Sequence, residues 1–392
     1  MSAPVSQPAP DLALSADEAR RLAVSASLGL RPLPGSTAVL AHTGLLQLDP
    51  LAPVAKAHRL TCLARMPATA TADEIDGGLW ADGPASAFEA WVHAVCLVPA
   101  ADWPLLRLAR EHARASARRP PEAMLAEVRA IVADHPDGAT ISDIEQPGAA
   151  TKGWDWPARK HATEHMLRSG ELACTTRRRG KRIFDLPQRR IPAHLLQAHL
   201  PREEILAAMA ARALLAMGAA TTADVAAYYS LSPRLARDGL LAAGAHPVSI
   251  QGWDTPAWIS PAIRDAPSLR HDPLLVGPFD NLIWDRARVR RIFAFDYVFE
   301  AYKPRAKRRY GYYTLALLDN CQLTGRADLT RDGTGLTVLA AYPEAAANAA
   351  RFTTSLDSAL SRLQQQLQPA ITQEKRYPGG ERQSLPQAGA PC

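Results

Sequence analysis

Cysteine is scarce and unpatterned in this sequence. The five residues, Cys62, Cys96, Cys174, Cys321 and Cys392, are odd in number and show no CxxC spacing. That argues against a disulfide framework or a structural zinc site, and predicts reduced thiols in a cytoplasm. A leader is also missing. MSAPVSQPAPD has neither a basic start nor an apolar run, so no signal peptide is expected. No stretch reaches the roughly 20 apolar residues of a membrane span, so no membrane contact is expected. Negative charge is in deficit, with 39 Asp and Glu against 45 Lys and Arg. The formal charge of +6 and a pI near 9.2 favour a polyanionic partner if the basic residues cluster, and mean only solubility if they are spread.

At 392 residues the chain is too long for one small core; with 47% hydrophobic and 21% charged residues it reads as about two to four globular units. Ser15 and Glu18 form a capping box ahead of Ala19, Leu22, Ala23 and Ala26, predicting a helix over about 16–28. Pro32 and Pro34 break the chain, Ser36 caps a short second helix and Gly44 ends it. The same syntax returns twice. Pro157 begins a helix, Gly170 stops it and strand-like residues flank Gly180; Ser232 and Pro233 begin another, Gly244 ends it and a hairpin is expected through Gly252. Helix, turn, helix, glycine stop and hairpin is the order of a winged helix. Three such units are expected, at about 15–66, 122–187 and 203–260, although no fixed-period identity relates them.

Between the first two units, FEAWVHAVCLVP (Phe88 to Pro99) reads as a helix, with Trp91 and Val95 inward and Glu89 and His93 sharing a face at i and i+4. After Leu274, short apolar or alternating runs at 276–285, 293–302, 310–318, 321–328 and 336–341 imply a small antiparallel sheet or barrel. A closing helix is expected over 344–367. The fold class is α+β. Its expected divisions are a disordered N-terminus (1–14), a first winged-helix unit with connecting helices (15–121), a second (122–200), a third (201–272), a β-barrel domain with its closing helix (273–368) and a flexible tail (369–392).

The candidate chemistry lies in LLQLDPLAPVAKAHRL, Leu45 to Leu60. If the segment is extended, Gln47 and Asp49 leave one face about 7 Å apart, while Leu46 and Leu48 leave the other. Pro50 and Pro53 end any ladder, and Lys56, His58 and Arg59 follow. A carboxylate beside a neutral amide and a basic run suits hydrolysis on an anionic polymer; an edge strand with a wet polar face is the alternative. His58 and Arg59 are candidates for phosphate contact or members of a solvated turn. Lys56 suits phosphate contact, with a lyase nucleophile as the other reading. Glu89 and His93 resemble a ligand pair superficially, but the order is not HExxH and catalytic zinc needs three protein ligands, so no metal and no cofactor is expected. Asp280 and Asp285, in an arginine-rich neighbourhood with Trp284, read as salt-bridge partners.

The basic residues cluster. Lys152, Arg159, Lys160, Arg168, Arg177, Arg178, Arg179, Lys181 and Arg182 crowd the second unit, most tightly at its expected wing tip. Arg286, Arg288, Arg290, Arg291, Lys303, Arg305, Lys307, Arg308 and Arg309 interleave with Phe293, Phe295, Tyr297, Phe299, Tyr302 and Tyr310. Cations beside aromatics suit phosphate contact with stacking or wedging between bases; the other reading is a solvated sheet edge with its core aromatics. The DNA-binding candidates are thus Lys56, His58, Arg59, Lys160, Arg178, Arg179, Lys181, Arg182, Arg308 and Arg309. A non-enzymatic winged-helix regulator is the competing function.

Four segments carry a resemblance to a known family: LLQLDPL with the downstream AKAHRL; FEAWVHAVCLVP; GWDWPARKHATEHMLRSGEL; and PFDNLIWDRARVRRIFAFDYVFEAYKPRAKRRYGYYTLALL. They resemble the bacterial winged-helix DNA glycosylases of the AlkZ and YcaQ type. The resemblance implies tandem winged helices and a β-barrel in a C-shaped clamp on double-stranded DNA. It also implies a monomer that excises bulky or cationic N-alkylpurines and unhooks interstrand crosslinks. The family writes its catalytic pair as Gln-x-Gln or Gln-x-Asp, and Gln47-Leu48-Asp49 matches the second, YcaQ-like form. The chain after about Tyr342 shows no matching feature.

Overall fold

The computed structural model describes residues 10, 12–80, 84–145, 157–262, 272–333 and 335–368. Lys152, the start of the GWDW segment, most of the N-terminus and the tail over 369–392 lie outside the described residues. Part of the N-terminus expected to be disordered is a strand: Leu12–Leu14 pairs in parallel with His246–Ile250, with Leu12 opposite Val248.

Helix Ala16–Leu28 starts with the expected capping box, Ser15 accepting from the Glu18 N–H and Glu18 accepting from the Ser15 N–H. Helix Ser36–Thr43 follows and ends on Gly44 at φ 73°, a left-handed cap that a β-carbon would disfavour. The chain then turns straight into the short strand Leu46–Gln47. Its partner is remote in sequence. Leu46 stands opposite Leu97 and Gln47 opposite Cys96, in a three-stranded sheet with Val95–Pro99 at its centre.

That sheet corrects the helix expected over Phe88 to Pro99. Ala87–Trp91 and Val95–Pro99 form a hairpin, with Val92 N–H donating to the Ala94 carbonyl at its turn. Phe88, Trp91, Val92, Val95 and Val98 give the segment the aromatic and β-branched content of strands, and that outweighs its i, i+4 spacing. Glu89 and His93 therefore share no helix face, and Trp91 stays partly exposed.

The next block runs helix Glu122–Asp134, short helix Ile141–Ile144, helix Ala158–Ser169 and hairpin Ala173–Arg178/Lys181–Asp185, with a bridge from Ala139 to Phe184. The third block runs helix Arg202–Met217, strand Ala219–Thr221, helices Thr222–Tyr229 and Pro233–Ala242, and hairpin His246–Ile250/Ala257–Ile259. Ser232 caps the last of these helices, as its position ahead of Pro233 implies.

The C-terminal sheet is open. Leu274–Val276, Thr314–Asp319, Gln322–Asp332 and Gly335–Pro343 lie in that order, and helix Ala349–Leu367 packs on it. No closed barrel exists among the described residues, which corrects the expected β-barrel. The reason is local. Past Val276 most of 276–285 is a turn, Asp285 caps helix Arg286–Phe293, and residues 294–302 run without a ladder, so two runs counted as strands supply only Val276.

Candidate active site

Leu46 and Leu48 anchor one side of the motif. Leu46 is fully buried in the core that the first block shares with the C-terminal sheet, and half-buried Leu48 packs against the same cluster. Leu48 N–H still donates to the Val95 carbonyl at 2.8 Å, and there the ladder stops. Asp49 consequently stands in a turn beyond the strand, its Oδ1 accepting from the Leu51 N–H at 2.9 Å. This corrects the picture of Gln47 and Asp49 on one continuous extended strand. The loop is fixed farther on by the Arg331 N–H, which donates to the Pro53 carbonyl at 2.8 Å.

The Asp49 carboxylate is half-buried, and burial raises its pKa above the ordinary carboxylate range, against the lowering effect of the Leu51 N–H. No Lys, Arg or His among the described residues forms an ion pair with it. Its charge reaches the phenols of Tyr302 and Tyr313, both shifted upward, chiefly by burial. Tyr313 Oη is buried without a hydrogen-bond partner, whereas Tyr302 is 78% exposed. Gln47 is half-buried, and its Oε1 lies 3.3 Å from His93 Nε2.

The turn of the Ala87–Pro99 hairpin brings His93 to Gln47, and the ring of Trp284 stacks on its imidazole at 4.0 Å with an 11° interplanar angle. Cys96 Sγ lies 4.0 Å from the same Nε2, and burial pushes that thiol up to about 12, keeping it neutral. On the outer strand Glu89, fully buried, accepts from Arg177 Nε and Nη2 at 2.6 and 3.0 Å. This pair fastens the basic hairpin Ala173–Asp185 to the sheet that carries Gln47.

The remaining sequence candidates separate into exposed cations and internally committed ones. At the tip of the basic hairpin, Arg179 and Gly180 both have positive φ, 50° and 79°, as a tight two-residue turn requires, and Arg178, Arg179 and Lys181 are exposed. Arg182 instead binds Glu164. Lys160 is half-buried on helix Ala158–Ser169. Arg309 is exposed with its guanidinium 4.8 Å from the Tyr310 ring, and half-buried Arg308 lies over Tyr312 at 4.9 Å while its Nε donates to the Lys303 carbonyl.

His58 and Arg59 do not stand in a solvated turn. They lie in helix Ala57–Leu63, where His58 is 2% exposed with Nε2 3.0 Å from Asp76 Oδ1, and Arg59 binds both oxygens of Asp76 at 3.0 and 2.8 Å. Burial is the largest influence on Asp76 and opposes ionisation, yet these two partners hold it well below the usual carboxylate range. Lys56 Nζ, 3.8 Å from Asp76, keeps a partly exposed side chain. Among the described residues no cluster of three or more His, Cys, Asp or Glu is placed to hold a metal ion, and no helix is long and apolar enough to cross a membrane.

Sequence reasoning passed over the residues that order the motif from outside. Asn281 Nδ2 donates to the Leu45 carbonyl at 3.0 Å and to Tyr228 Oη at 2.8 Å, and Tyr228 Oη donates to the Thr43 carbonyl at 2.6 Å. Asp280 binds Arg65 through both oxygens. The signal was present in the long segment beginning PFDNLIWD, but it identifies a distinctive stretch without saying which of its side chains touch the motif. Gly311 marks another close approach: at φ 136° its β-carbon would fall 2.0 Å from Asp328 Oδ2, and Asp328 accepts from the N–H groups of Tyr312 and Tyr313.

A half-buried unpaired carboxylate and an oriented amide, with exposed arginine-rich segments elsewhere on the surface, are equipped to act on a polyanion. The chain is similar in fold to the Streptomyces sahachiroi DNA glycosylase AlkZ, with a TM-score of 0.60 and 16% identity, covering 91% of this chain and 97% of that one. A sequence profile described as DNA glycosylase AlkZ-like matches residues 40–366, a span that contains Gln47, Asp49, His93 and Trp284. The match takes in most of the 392 residues, and the chain belongs to the AlkZ-like DNA glycosylase family.

Proposed function

We propose that this DNA glycosylase is monofunctional, hydrolyses the N-glycosidic bond of N-alkylated purines such as N7-alkylguanine, and unhooks interstrand crosslinks, with Gln47 and Asp49 as its reacting pair. The observation that carries the reading is Asp49 itself: a half-buried carboxylate with no cationic partner, its pKa raised by burial. Buried structural carboxylates in this fold are held either by cations, as Asp76, Asp280 and Glu89 are, or by two backbone N–H groups, as Asp328 is; Asp49 has neither arrangement. An unpaired one is free to meet positive charge on a substrate.

The chemistry follows from the bond. Its cleavage passes through an oxocarbenium-like sugar, which a neighbouring carboxylate stabilises while it takes a proton from the attacking water. In this reading Asp49 has that role and the Gln47 amide holds the water at the anomeric carbon. A purine alkylated at N7 already carries positive charge and leaves as a neutral base, so one carboxylate suffices without a general acid. Deep base flipping is blocked when a base is tied to the opposite strand, so crosslinks require a pair within reach of an unflipped nucleotide. The helix and hairpin blocks are read as winged-helix units of a clamp around duplex DNA. Lys56, Arg178, Arg179, Lys181, Arg308 and Arg309 serve phosphates, and the proposed place of action is the cytoplasm, at the nucleoid.

The test is release of 7-methylguanine from methylated duplex DNA, alongside a defined crosslink and its monoadduct. Wild type is expected to release the base and Asp49→Asn to lose release while still binding DNA. Equal release by both proteins would remove the mechanism. DNA binding with no release by either would favour a non-enzymatic binding protein.

A further inference from the structure

We propose that His93 is a positioning residue for Gln47: its neutral imidazole donates Nε2–H to Gln47 Oε1 and so turns the amide NH2 group toward the attacking water. The proposal rests on the reading of Gln47 and Asp49 as the reacting pair and adds the device that sets the amide's direction.

A glutamine amide flips about its last torsion with little intrinsic preference, and each end offers different chemistry. A water that gives a proton to Asp49 and attacks through one lone pair is best held by a donor on its remaining lone pair. The amide NH2 group supplies that donor, provided its oxygen is engaged elsewhere. His93 Nε2, at 3.3 Å from Gln47 Oε1, engages it. An amide oxygen only accepts, so the contact requires the proton on Nε2. Nδ1 is buried and makes no well-formed hydrogen bond, although the Tyr228 backbone lies close enough to compete for the ring's proton.

The imidazole is itself immobilised. Trp284 stacks on it at 4.0 Å and nearly parallel, and the Tyr228 ring lies 6.4 Å away. Burial lowers the His93 pKa to about 4, against an upward pull from the Tyr228 backbone. The ring therefore stays neutral at the pH where the carboxylate of Asp49 is ionised. Gln47 stands opposite Cys96 in the sheet while His93 sits at the neighbouring hairpin turn, so the two elements move as one.

The test compares His93→Phe, which keeps a ring for Trp284 but has no donor, with His93→Gln, whose amide nitrogen falls near the place of Nε2. His93→Phe is expected to excise roughly tenfold more slowly, the scale of one buried hydrogen bond, with its Kd for duplex DNA within twofold of wild type. His93→Gln is expected to recover most of the rate. Adding His93→Phe to Gln47→Ala should cost no further rate, because the amide it positions is gone. A wild-type rate in His93→Phe beside an inactive Asp49→Asn would overturn the proposal, as would a full additional loss in the double variant. A wild-type rate in Asp49→Asn would instead remove the reacting pair, and this proposal with it. A second measurement needs no variant at all: nitrogen-15 NMR of the wild-type histidines should show His93 as the Nε2–H tautomer, and an Nδ1–H form bonded to the Tyr228 backbone would also overturn it.

Discussion

Asn281 reaches across 236 positions of sequence to donate Nδ2–H to the backbone carbonyl of Leu45, two residues before Gln47. The same amide nitrogen donates to Tyr228 Oη, which in turn donates to the Thr43 carbonyl. Two carbonyls at the end of helix Ser36–Thr43 are thus capped from the third block and from the segment before helix Arg286–Phe293. Asn281→Leu leaves the Leu45 carbonyl buried without its donor. A loss of roughly 1–3 kcal/mol in urea unfolding is expected, the penalty for an unsatisfied buried polar group, together with slower excision. Unchanged stability and rate would show that the Leu45 carbonyl does not depend on this donor.

Asp49 is expected to oppose folding while serving catalysis. Its folded-state pKa lies above its unfolded one, so the protonated form is favoured by folding and the ionised form is held at a loss. At neutral pH Asp49→Asn should therefore raise Tm, since an asparagine keeps the oxygen that accepts from the Leu51 N–H. The gain should shrink as pH falls through the raised pKa and vanish below the ordinary carboxylate value. Excision by wild type runs the other way, needs the ionised form, and should fall on the acid side at a pH above that of an exposed aspartate. Tm scans of both proteins against pH check the first part, and single-turnover rates check the second.

How much of this was legible beforehand depended on whether local signals were enough. The capping box at Ser15, the stop at Gly44, the Ser232–Pro233 helix start and the turn at Gly180 were readable because each is decided within about four residues. Leu46 and Leu48 were rightly assigned to the core, but Gln47, Leu48 and Asp49 are all half-buried and the strand ends before Asp49, so the alternation of two faces was not a reliable guide beyond Gln47. The hairpin Ala87–Pro99 was not readable, because its residues satisfy a helical spacing and only the strand Leu46–Gln47, about 50 positions earlier, completes the sheet. His58 looked available because it follows a lysine, yet its partner Asp76 lies 18 residues away on another helix. Asn281, Tyr228 and Trp284 were invisible as site residues for the same reason: their roles exist only across blocks. The expected barrel failed because the runs at 276–285 and 293–302 form almost no ladder: past Val276 the first is mostly turn, and the second begins at the end of helix Arg286–Phe293 and goes on unpaired.

The buried pair Arg65–Asp280 joins the first block to that same cross-block segment. Both side chains are wholly inaccessible, and all five guanidinium N–H groups are used: two on Asp280, one each on the Thr61 carbonyl, the Ser27 carbonyl and Ser27 Oγ. Asp280→Ala leaves a buried guanidinium without its counter-charge, and a loss of roughly 3–5 kcal/mol is expected. Replacing both residues by apolar side chains of similar volume should be far less harmful than the single change. Chemical unfolding of the two variants checks the order, and a milder single than double variant would contradict it.

The tip of the basic hairpin is expected to act through phosphates. Arg178, Arg179 and Lys181 are exposed there, and the Glu89–Arg177 pair ties their hairpin to the sheet that carries Gln47. Changing all three to alanine should weaken binding to undamaged and damaged duplexes alike. Each lost phosphate contact should flatten the dependence of log affinity on log salt by about 0.9. Titrations at several salt concentrations measure the slope, and an unchanged slope would remove the tip from the DNA interface.

Tyr302 stands on the surface within reach of the Asp49 charge, on a loop that Glu300 closes. The Glu300 carboxylate accepts from the N–H groups of Arg309 and Tyr310 at 2.9 and 2.7 Å and from Lys303 Nζ at 3.0 Å, which holds its pKa at about 2 despite burial, the largest influence and an opposing one. A loop fixed at its base presents an exposed ring, edge-on to Phe299 at 5.9 Å, among Lys303, Arg305, Lys307 and Arg309. Such a ring suits stacking on a nucleobase, worth roughly 1–3 kcal/mol by truncation. Tyr302→Ala should leave Tm unchanged, because the side chain buries almost nothing, and should weaken capture or slow excision by an amount in that range. Tyr302→Phe should behave as wild type, because stacking needs the ring and not the hydroxyl. A full loss in Tyr302→Phe would instead assign the role to the phenol, whose proton lies within the field of Asp49.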